Sequence, residues 1–523
     1  MTAGAAPFRF ERTLDEPGVV RLAELLALKL RAGDLVRLSG DLGAGKTTFA
    51  RALIRAALAD PDADVPSPTF SILQTYVTER LTIGHADLYR LGSADAAEEA
   101  GVPDVLDHGA LLVEWPDRSG GLEPADRIDI TFTEAPDGGA GARAVVVTGH
   151  GRAGATIERL STLWDFLARD DVAPWRGAPM VHLQGDASSR AYSRLIGGAR
   201  PAILMDAPRQ PDGPAVRDGQ PYSRIAHLAE DVRPFVAMDL ALRDAGFSAP
   251  EIFAHEFGHG LLLLEDLGDR VFGREVAAGA DQALLWRAAV DVLIALRRAG
   301  LPATLALPDG TTHDLPRFDR AALEIEVDLL LDWYWPAAFG APAPGPVRDE
   351  FRALWAPIFD RLLALPPGLF LRDYHSPNLL WLPERDGVAR VGVIDFQDAL
   401  AEHWAYDLVS LLHDARIDVA PALERDLFDY YCATIATAEP GFDRPEFETA
   451  YALFGAQRRT RHIGLFVRLT RRDGKAQYLA HIPRAWDHLA RALRHPDLAA
   501  LGAWFDQRIP AAVRNRPIAP RGA

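Results

Sequence analysis

Residues 34–58 read DLVRLSGDLGAGKTTFARALIRAAL, and the order of patterns in this stretch predicts a strand, a glycine-rich loop and a helix. The segment DLVRLSG alternates like a strand, and the apolar residues of KTTFARALIRAAL recur at helical spacing. Between them, Gly40, Gly45, Lys46 and Thr47 occupy the fixed positions of the pattern G-x-x-x-x-G-K-[ST]. We therefore predict a P-loop, which holds phosphates at the N-terminus of a helix.

Lys46 is notable because the chain contains only three lysines against 53 arginines. A P-loop lysine reaches the β- and γ-phosphates as a compact charge, while backbone N–H groups cradle the phosphates and the Ser/Thr hydroxyl binds Mg²⁺. The broad planar guanidinium of an arginine would not fit this ring of amides. The predicted nucleotide-binding residues are Gly40, Asp41, Gly43, Ala44, Gly45, Lys46, Thr47 and Thr48, with Thr47 also a metal ligand.

Composition sets the outer bounds of function. The chain has 523 residues, enough for two to four domains, and a formal net charge of −17. This charge argues against direct nucleic-acid binding, which requires a basic face. The single cysteine, Cys432, excludes a disulfide framework. The N-terminus does not resemble a signal segment, and no apolar run approaches the length of a membrane span. We therefore expect a cytoplasmic protein without membrane contact.

A change in composition near residues 149–155 marks the expected domain boundary. This stretch, GHGRAGA, is small and polar, and we expect it not to pack. A helical pattern begins at Thr156. The predicted division is a P-loop domain over 1–150, a linker and leading helix over 151–180, and a second domain over 181–523.

A P-loop protein needs an acid at the end of an apolar strand to complete its metal site. Glu114 ends the strand ALLVEW over 110–115, and Asp87 lies in LTIGHADLYR over 81–90. We name both as candidate metal ligands. The alternative for each is a strand-end carboxylate that faces water.

Four ordered segments, GDLGAGKTTFAR, SPTFSILQTY, HADLYRL and LVEWPDR, resemble the TsaE family of ATPases in bacterial tRNA threonylcarbamoyladenosine synthesis. The resemblance covers roughly residues 8–150. It implies that Lys46 and Thr47 bind ATP and Mg²⁺, and that Glu114 and Asp87 complete the metal site. It also implies that the domain works with the TsaB and TsaD proteins, which would hold the tRNA.

The second half contains LRDYHSPNLLW over 371–381, in which Asp373 and Asn378 have the D-x-x-x-x-N spacing of a kinase catalytic loop. In such a loop the aspartate accepts the proton of the attacking hydroxyl, and the asparagine binds Mg²⁺. Seventeen residues after Asn378, an apolar strand ends at Asp395, where these enzymes place a second metal carboxylate. We predict Asp373 as the catalytic residue, and Asn378 and Asp395 as metal ligands.

The nucleotide-binding lobe of such a kinase is less clearly marked. The segment QGDASSRAYSRL over 184–195 predicts a hairpin that covers the phosphates. The segment GLLLLEDLG over 260–268 predicts the strand that connects the two lobes of the kinase and contacts the adenine. The candidates are Ser188, Ser189, Arg190, Glu265 and Leu267. A buried structural strand is the alternative for the connector.

Kinases normally carry a lysine on the third strand of this lobe, but PAILMDAP over 201–208 has Met205 at about that place. Either this half is inactive, or an arginine such as Arg190 or Arg194 takes over the role of the lysine. We favour the arginine, because an inactive kinase has little reason to keep Asp373, Asn378 and Asp395 together.

Together, DASSRAYSRL, ILMDAP, LLLEDLGD, LRDYHSPNLLWL and IDFQDA resemble the aminoglycoside-phosphotransferase-like family, over about residues 156–510. The nearest branch is that of the kinases that phosphorylate the anomeric hydroxyl of N-acetylmuramate and N-acetylglucosamine in cell-wall recycling. The resemblance implies a bilobal, protein-kinase-like α+β domain, ATP and Mg²⁺. The expected fold is thus an α/β chain, with a P-loop NTPase domain followed by this kinase-like domain.

The substrate remains open at this point. The segment 457–475 concentrates basic residues that would attract an acidic sugar and repel a polycationic aminoglycoside. A solvated basic helix face is an equally good interpretation. The substrate candidates are His375, Arg458, Arg459 and His462. Two alternatives remain for the second half: a catalytically silent scaffold and a kinase for another small hydroxyl compound, such as an aminoglycoside.

Overall fold

The structure is a computed structural model, and it describes residues 6–68, 71–90, 101–118, 123–135, 141–183 and 190–520. It divides into two compact units. The first comprises Met1–Pro208 and Phe253–Asp266, and the second comprises Arg209–Ile252 and Leu267–Ala523. Of the helices in the described ranges, none is both long enough and apolar enough to cross a membrane. The domain boundaries drawn from the sequence stay a prediction.

Strands and short helical segments alternate in the first unit, whereas long helices dominate the second. The strands are β1 Phe8–Leu14, β2 Leu35–Gly40, β3 Leu73–Val77, β4 Thr82–Asp87, β5 Gly109–Glu114, β6 Arg127–Glu134, β7 Arg143–His150, β8 Met180–Leu183, β9 Ala191–Leu195, β10 Ala202–Asp206, β11 Ala215–Arg217, β12 Gln220–Pro221, β13 Ile252–Glu256, β14 Leu261–Glu265, β15 Thr304–Ala306, β16 Thr312–Asp314, β17 Gly368–Phe370, β18 Leu379–Trp381, β19 Val391–Val393 and β20 Leu400–Glu402. The helices are α1 Glu16–Lys29, α2 Lys46–Leu58, α3 Ala153–Leu167, α4 Tyr222–Ile225, α5 Arg233–Asp244, α6 Phe272–Ala277, α7 Gln282–Ala299, α8 Arg320–Leu329, α9 Trp335–Phe339, α10 Gly345–Leu363, α11 Ala405–Leu412, α12 Pro421–Ala438, α13 Arg444–Asp473, α14 Ile482–Ala492, α15 Ala499–Arg508 and α16 Ala511–Arg514.

The first unit contains a seven-stranded sheet with the order β1-β7-β6-β2-β5-β4-β3. Strands β6, β2, β5 and β4 are parallel, and the outer pairs are antiparallel. Strand β5 is buried along its whole length, as its apolar sequence predicts for a parallel strand covered on both faces. The loop after β2 and the ends of β4 and β5 therefore lie at the same edge of the sheet, which is where parallel α/β sheets bind ligands. The predicted α/β fold class is confirmed.

A second sheet of the first unit has the order β13-β14-β10-β9-β8. Several of its buried residues, among them Leu195 and Leu204, belong to one hydrophobic core together with residues of α1, α3 and the seven-stranded sheet. At the end of β10, Asp206 forms ion pairs with Lys29 of α1 and Arg159 of α3. The strands that follow residue 180 therefore share a core with the P-loop region.

Residues 149–155 pack in part, contrary to the expectation from their composition: Gly149, Ala153 and Gly154 are buried, whereas Gly151, Arg152 and Ala155 are exposed. Helix α3 begins at Ala153 and contacts β1 and β7. A Cβ atom on Gly149 would lie 2.5 Å from the carbonyl oxygen of Ala153. Glycine is required here because the chain folds back on itself at this point, which composition alone does not reveal.

In the second unit, the 30-residue helix α13 packs against α8, α11 and α14. A Cβ atom on Gly464 would lie 2.2 Å from the carbonyl group of Leu329, so this glycine permits the close approach of α13 to the end of α8. Two small antiparallel pairs, β17 with β20 and β18 with β19, carry the segment that contains the D-x-x-x-x-N pattern.

Candidate functional site

The P-loop prediction agrees with the local geometry after β2. The φ angles of Gly40, Gly43 and Gly45 are 141°, 78° and 111°, a range that favours glycine. A Cβ atom on Gly40 would lie 2.4 Å from the carbonyl oxygen of Phe132 in β6. Helix α2 then begins at Lys46, as the sequence predicts.

Lys46 lies against its own loop and is nearly buried. Its Nζ atom donates to the carbonyl oxygens of Gly40 at 2.7 Å and Asp41 at 2.8 Å. Nζ also lies 3.8 Å from the centre of the Trp115 ring. Burial lowers the pKa of Lys46, and the carboxylates of Glu114 and Asp87 partly oppose this effect.

The three metal-ligand candidates of the first unit lie at this same edge. The Thr47 hydroxyl donates to Oε2 of Glu114 at 2.9 Å. Asp87 and Glu114 are paired in register at the ends of β4 and β5, and both are buried. Burial excludes the alternative of strand-end carboxylates that face water. Their role as metal ligands stays a prediction.

Sequence reasoning missed three residues at this edge. His85 is fully buried, and its Nε2 atom lies 3.0 Å from Oε1 of Glu114, the oxygen that does not accept from Thr47. The Trp115 ring covers Lys46, and the backbone of Trp115 has a positive φ of 59°. The Arg143 side chain donates a hydrogen bond to the carbonyl oxygen of Ala44 at 3.2 Å. His85 and Trp115 lie within the quoted segments HADLYRL and LVEWPDR, whereas nothing in the local pattern around Arg143 indicates its contact with the loop.

The second site begins after β17. Arg372 has a φ of 71°, and Asp407 of α11 accepts hydrogen bonds from the backbone N–H groups of Leu371 at 2.5 Å and Arg372 at 3.0 Å. The buried Arg372 side chain forms an ion pair with Glu326 of α8. The unusual backbone conformation is therefore held by two helices that are distant in sequence.

Asp373, Asn378 and Asp395 come together as the sequence predicts. The side-chain amide of Asn378 donates to the carbonyl oxygen of Asp373 at 2.9 Å and to Oδ2 of Asp395 at 3.3 Å. Gln397 donates to Oδ1 of Asp395 at 2.8 Å. The Asp373 side chain is 25% exposed, so its carboxylate remains accessible.

The buried Arg458 of α13 donates to Oδ1 of Asp373 at 3.2 Å. Burial of the Asp373 carboxyl group favours a higher pKa, but the charges of Arg458 and Arg461 outweigh it and hold the pKa of Asp373 well below its usual range. Asp373 is therefore ionised at neutral pH.

The other substrate candidates are buried as well. Arg459 is 0% exposed, and burial, reinforced by the charge of Arg458, lowers its pKa to about 9. Burial lowers the pKa of His462 and of His375, so both rings are neutral at pH 7. The alternative of a solvated basic helix face is therefore wrong for Arg458, Arg459 and His462. Whether any of them contacts a substrate stays a prediction.

The candidate nucleotide residues of the kinase-like half fall in different parts of the chain. Ser188 and Ser189 lie outside the described residues. Arg190 immediately precedes β9 and Glu265 ends β14, both in the first unit, whereas Leu267 belongs to the second. Their roles stay predictions.

Met205 and Arg194 are placed by the second sheet. Met205 is 1% exposed in β10, between Tyr192 of β9 and Leu262 of β14. Arg194 forms an ion pair with Asp266, with 2.6 Å between Nε and Oδ2. Which of Arg190 and Arg194 replaces the kinase lysine stays a prediction.

Both clusters carry oxygen groups of the kind that bind Mg²⁺. The Thr47 hydroxyl oxygen lies 2.9 Å from Oε2 of Glu114. The Asn378 amide nitrogen lies 3.3 Å from Oδ2 of Asp395, so neighbouring side chains carry hydroxyl and carboxylate oxygens in one site, and amide and carboxylate oxygens in the other. These are the oxygen ligands that Mg²⁺ prefers. The glycine-rich loop at the start of α2 adds backbone N–H groups for phosphate oxygens.

Comparison with known proteins assigns each half to a family. The family model "Threonylcarbamoyl adenosine biosynthesis protein TsaE" matches residues 14–143, and the model "Phosphotransferase enzyme family" matches residues 180–448. The chain is 43% identical over 345 residues to an N-acetylmuramate/N-acetylglucosamine kinase of Caulobacter vibrioides, an alignment that covers 64% of this chain and 93% of that kinase.

Relatives of the N-terminal half are TsaE proteins. The chain is 39% identical over 110 residues to tRNA threonylcarbamoyladenosine biosynthesis protein TsaE of Rickettsia bellii, covering 21% of this chain and 76% of that protein. It is 45% identical over 101 residues to TsaE of Rickettsia felis, covering 19% of this chain and 58% of that protein. Both resemblances drawn from the sequence are confirmed, and both families are enzyme families. The chain therefore belongs to the phosphotransferase enzyme family through its C-terminal part and to the TsaE family through its N-terminal part, as a fusion of the two.

Proposed function

We propose that the chain is a bifunctional enzyme that uses ATP and Mg²⁺ in both halves. The first half would hydrolyse ATP in the synthesis of N6-threonylcarbamoyladenosine in tRNA. The second half would phosphorylate the anomeric hydroxyl of N-acetylmuramate or N-acetylglucosamine for cell-wall recycling. We place both reactions in the cytoplasm.

The proposal for the first half is supported by the P-loop and by the match to TsaE proteins. Lys46 and the N–H groups of the loop would bind the phosphates, while Thr47 and Glu114 would hold Mg²⁺. We propose TsaB and TsaD proteins as its partners. At a net charge of −17 the chain is poorly suited to bind tRNA directly, so these partners would hold the RNA.

One observation carries the proposal for the second half: the Asn378 amide joins the backbone of Asp373 to the carboxylate of Asp395. Asp373 would accept the proton as the sugar hydroxyl attacks the γ-phosphorus. The new O–P bond forms, the bond to the bridging oxygen breaks, and ADP leaves. Bound Mg²⁺ would supply positive charge to the phosphate oxygens. Asn378 and Asp395 would hold it, as Thr47 and Glu114 would in the first half.

Steady-state kinetics of the full chain test this proposal. The substrates are N-acetylmuramate, N-acetylglucosamine and kanamycin, each with Mg·ATP, and sugar 1-phosphate is identified by NMR. We expect turnover of the two amino sugars and none of kanamycin. Turnover of kanamycin alone would point to an aminoglycoside kinase. No phosphorylation of any of the three by a protein that still hydrolyses ATP would favour the silent scaffold.

A further inference from the structure

Arg458 makes more contacts with the catalytic loop than a residue that binds substrate would need. Its Nη1 atom donates to the carbonyl oxygen of Arg372 at 2.7 Å and to the hydroxyl of Tyr406 at 3.0 Å. Its Nη2 atom donates to Oδ1 of Asp373 at 3.2 Å. Arg458 therefore connects the backbone and the side chain of two successive loop residues to helix α11.

Arg458 is also inaccessible. Its side chain is 0% exposed, whereas that of Asp373 is 25% exposed. A substrate can reach Asp373, but it cannot reach Arg458 in this arrangement. Whatever Arg458 contributes to the reaction must therefore pass through the loop that it holds.

The surroundings of Asp373 make such support necessary. Titratable groups face it from α13 (Arg458 and Arg461), from its own loop (Arg372 and the neutral His375) and from α11 (Asp407). Of these groups, Arg458 is the one whose side chain donates a hydrogen bond to a carboxylate oxygen of Asp373, within the part of the chain that the structure describes. A carboxylate with one oxygen held in this way presents its other oxygen in a fixed direction.

We propose that Arg458 is a positioning residue for the phosphotransfer reaction, one that orients the Asp373 carboxylate toward the sugar hydroxyl and does not itself bind the sugar. This inference rests on the proposed kinase function. It reassigns a residue that sequence reasoning placed among the substrate contacts.

A double-mutant cycle tests the proposal, with kcat and KM measured for N-acetylglucosamine and Mg·ATP on the full chain. We expect Arg458→Gln to lower kcat about 10²-fold while both KM values stay within about threefold of wild type. In the Asp373→Asn background, the same substitution should lower kcat by less than about threefold, because its effect acts through Asp373. Arg458→Lys should recover part of the lost rate.

Arg459→Gln is the matched control. It removes the same charge from the next residue of α13, which is equally buried but donates no hydrogen bond to Asp373 in the described structure. Its effect on kcat should be the same factor in both backgrounds. If Arg458→Gln also lowers kcat by one common factor in both backgrounds, or if it mainly raises the KM for sugar, the positioning role is overturned.

A second variant covers the case in which Arg458→Gln does not fold. Tyr406→Phe keeps the buried ring and removes only the hydroxyl that accepts from Arg458. We expect a loss of kcat of about threefold to tenfold that disappears in the Asp373→Asn background. An unchanged kcat for folded Tyr406→Phe, together with no folded Arg458→Gln, would count against the proposal. Absence of sugar phosphorylation by the wild type would instead overturn the proposed function, and this inference with it.

Discussion

The loop after β2 and the loop after β17 both present groups for phosphate chemistry, but they are built from different parts. The first uses glycine backbone, Lys46 and one hydroxyl, nearly all within nine consecutive residues. The second uses the side chains of Asp373, Asn378 and Asp395, and its carboxylate is held by an arginine 85 residues further along the chain. A lysine is central to the first site, whereas β10, where the kinase pattern predicts a lysine, has Met205. The residues of the first candidate site are thus close together in the sequence, whereas those of the second are far apart.

The largest expected effect concerns the lysine. Lys46→Ala should lower ATP hydrolysis by the first half by at least about 10³-fold, because the phosphates would lose the ammonium group of the P-loop. Sugar phosphorylation should be unchanged, since Lys46 contacts only its own loop and Trp115 among the described residues. Lys475→Ala, which removes the lysine after α13, is the control. Loss of both activities in a folded Lys46→Ala protein would show that the two sites are coupled.

Asp373→Asn tests the corresponding residue of the second site. The substitution keeps the shape but removes the proton acceptor, so kcat for N-acetylglucosamine should fall about 10³- to 10⁴-fold. Binding of Mg·ATP, followed by calorimetry, should persist, and ATP hydrolysis by the P-loop should be unaffected. Near-normal turnover would mean that Asp373 is not the base.

Arg190→Ala tests whether Arg190 takes the role of the lysine that other kinases carry on the third strand. If Arg190 acts on the phosphates, kcat/KM should fall about 10²- to 10³-fold, the range for loss of one charge that stabilises a transition state. Arg194→Ala tests the other candidate arginine, which forms an ion pair with Asp266. Met205→Lys should not restore activity to Arg190→Ala, since it would place an ammonium group in the buried centre of β10. If Met205→Lys turns over faster than the wild type while Arg190→Ala keeps a normal kcat/KM, the prediction that Arg190 replaces the kinase lysine is wrong.

The smallest effect concerns stability. Glu402 is 0% exposed, and burial raises its pKa from 4.5 to about 7. Between these values the unfolded chain loses this proton before the folded one does, so the contribution of Glu402 to the free energy of unfolding falls as pH rises through this window. Glu402→Gln should therefore stabilise the protein by about 3 kcal/mol at pH 8 and by little at pH 4.5. Denaturant unfolding at both pH values measures this difference. Equal stabilisation at the two values would exclude an ionising Glu402 as its cause.

The motifs of both sites could be predicted because they depend on short spacings. The positions of Gly40, Gly45, Lys46 and Thr47 are set by one strand–loop–helix turn, and the structure agrees with that reading. Asp373 and Asn378 likewise belong to one loop. The contacts of His85 and Arg143 with the first site could not be predicted, because they depend on which strands are neighbours in the sheet.

The amino-acid sequence alone was sufficient to predict the two motif-bearing loops and their families. The conformation of each loop depends on hydrogen bonds and dihedral angles of residues that are neighbours in the sequence. The sequence alone was not sufficient for α13. A cluster of basic residues such as Arg458, Arg459 and Arg461 looks the same in the sequence whether the helix faces water or the centre of a domain. Its burial follows from the close approach of α8 at Gly464 and from carboxylates on other elements, Glu326 and Asp373, that compensate the buried charge. These groups meet α13 only after the chain has folded, because long-range packing brings them within reach of its guanidinium groups.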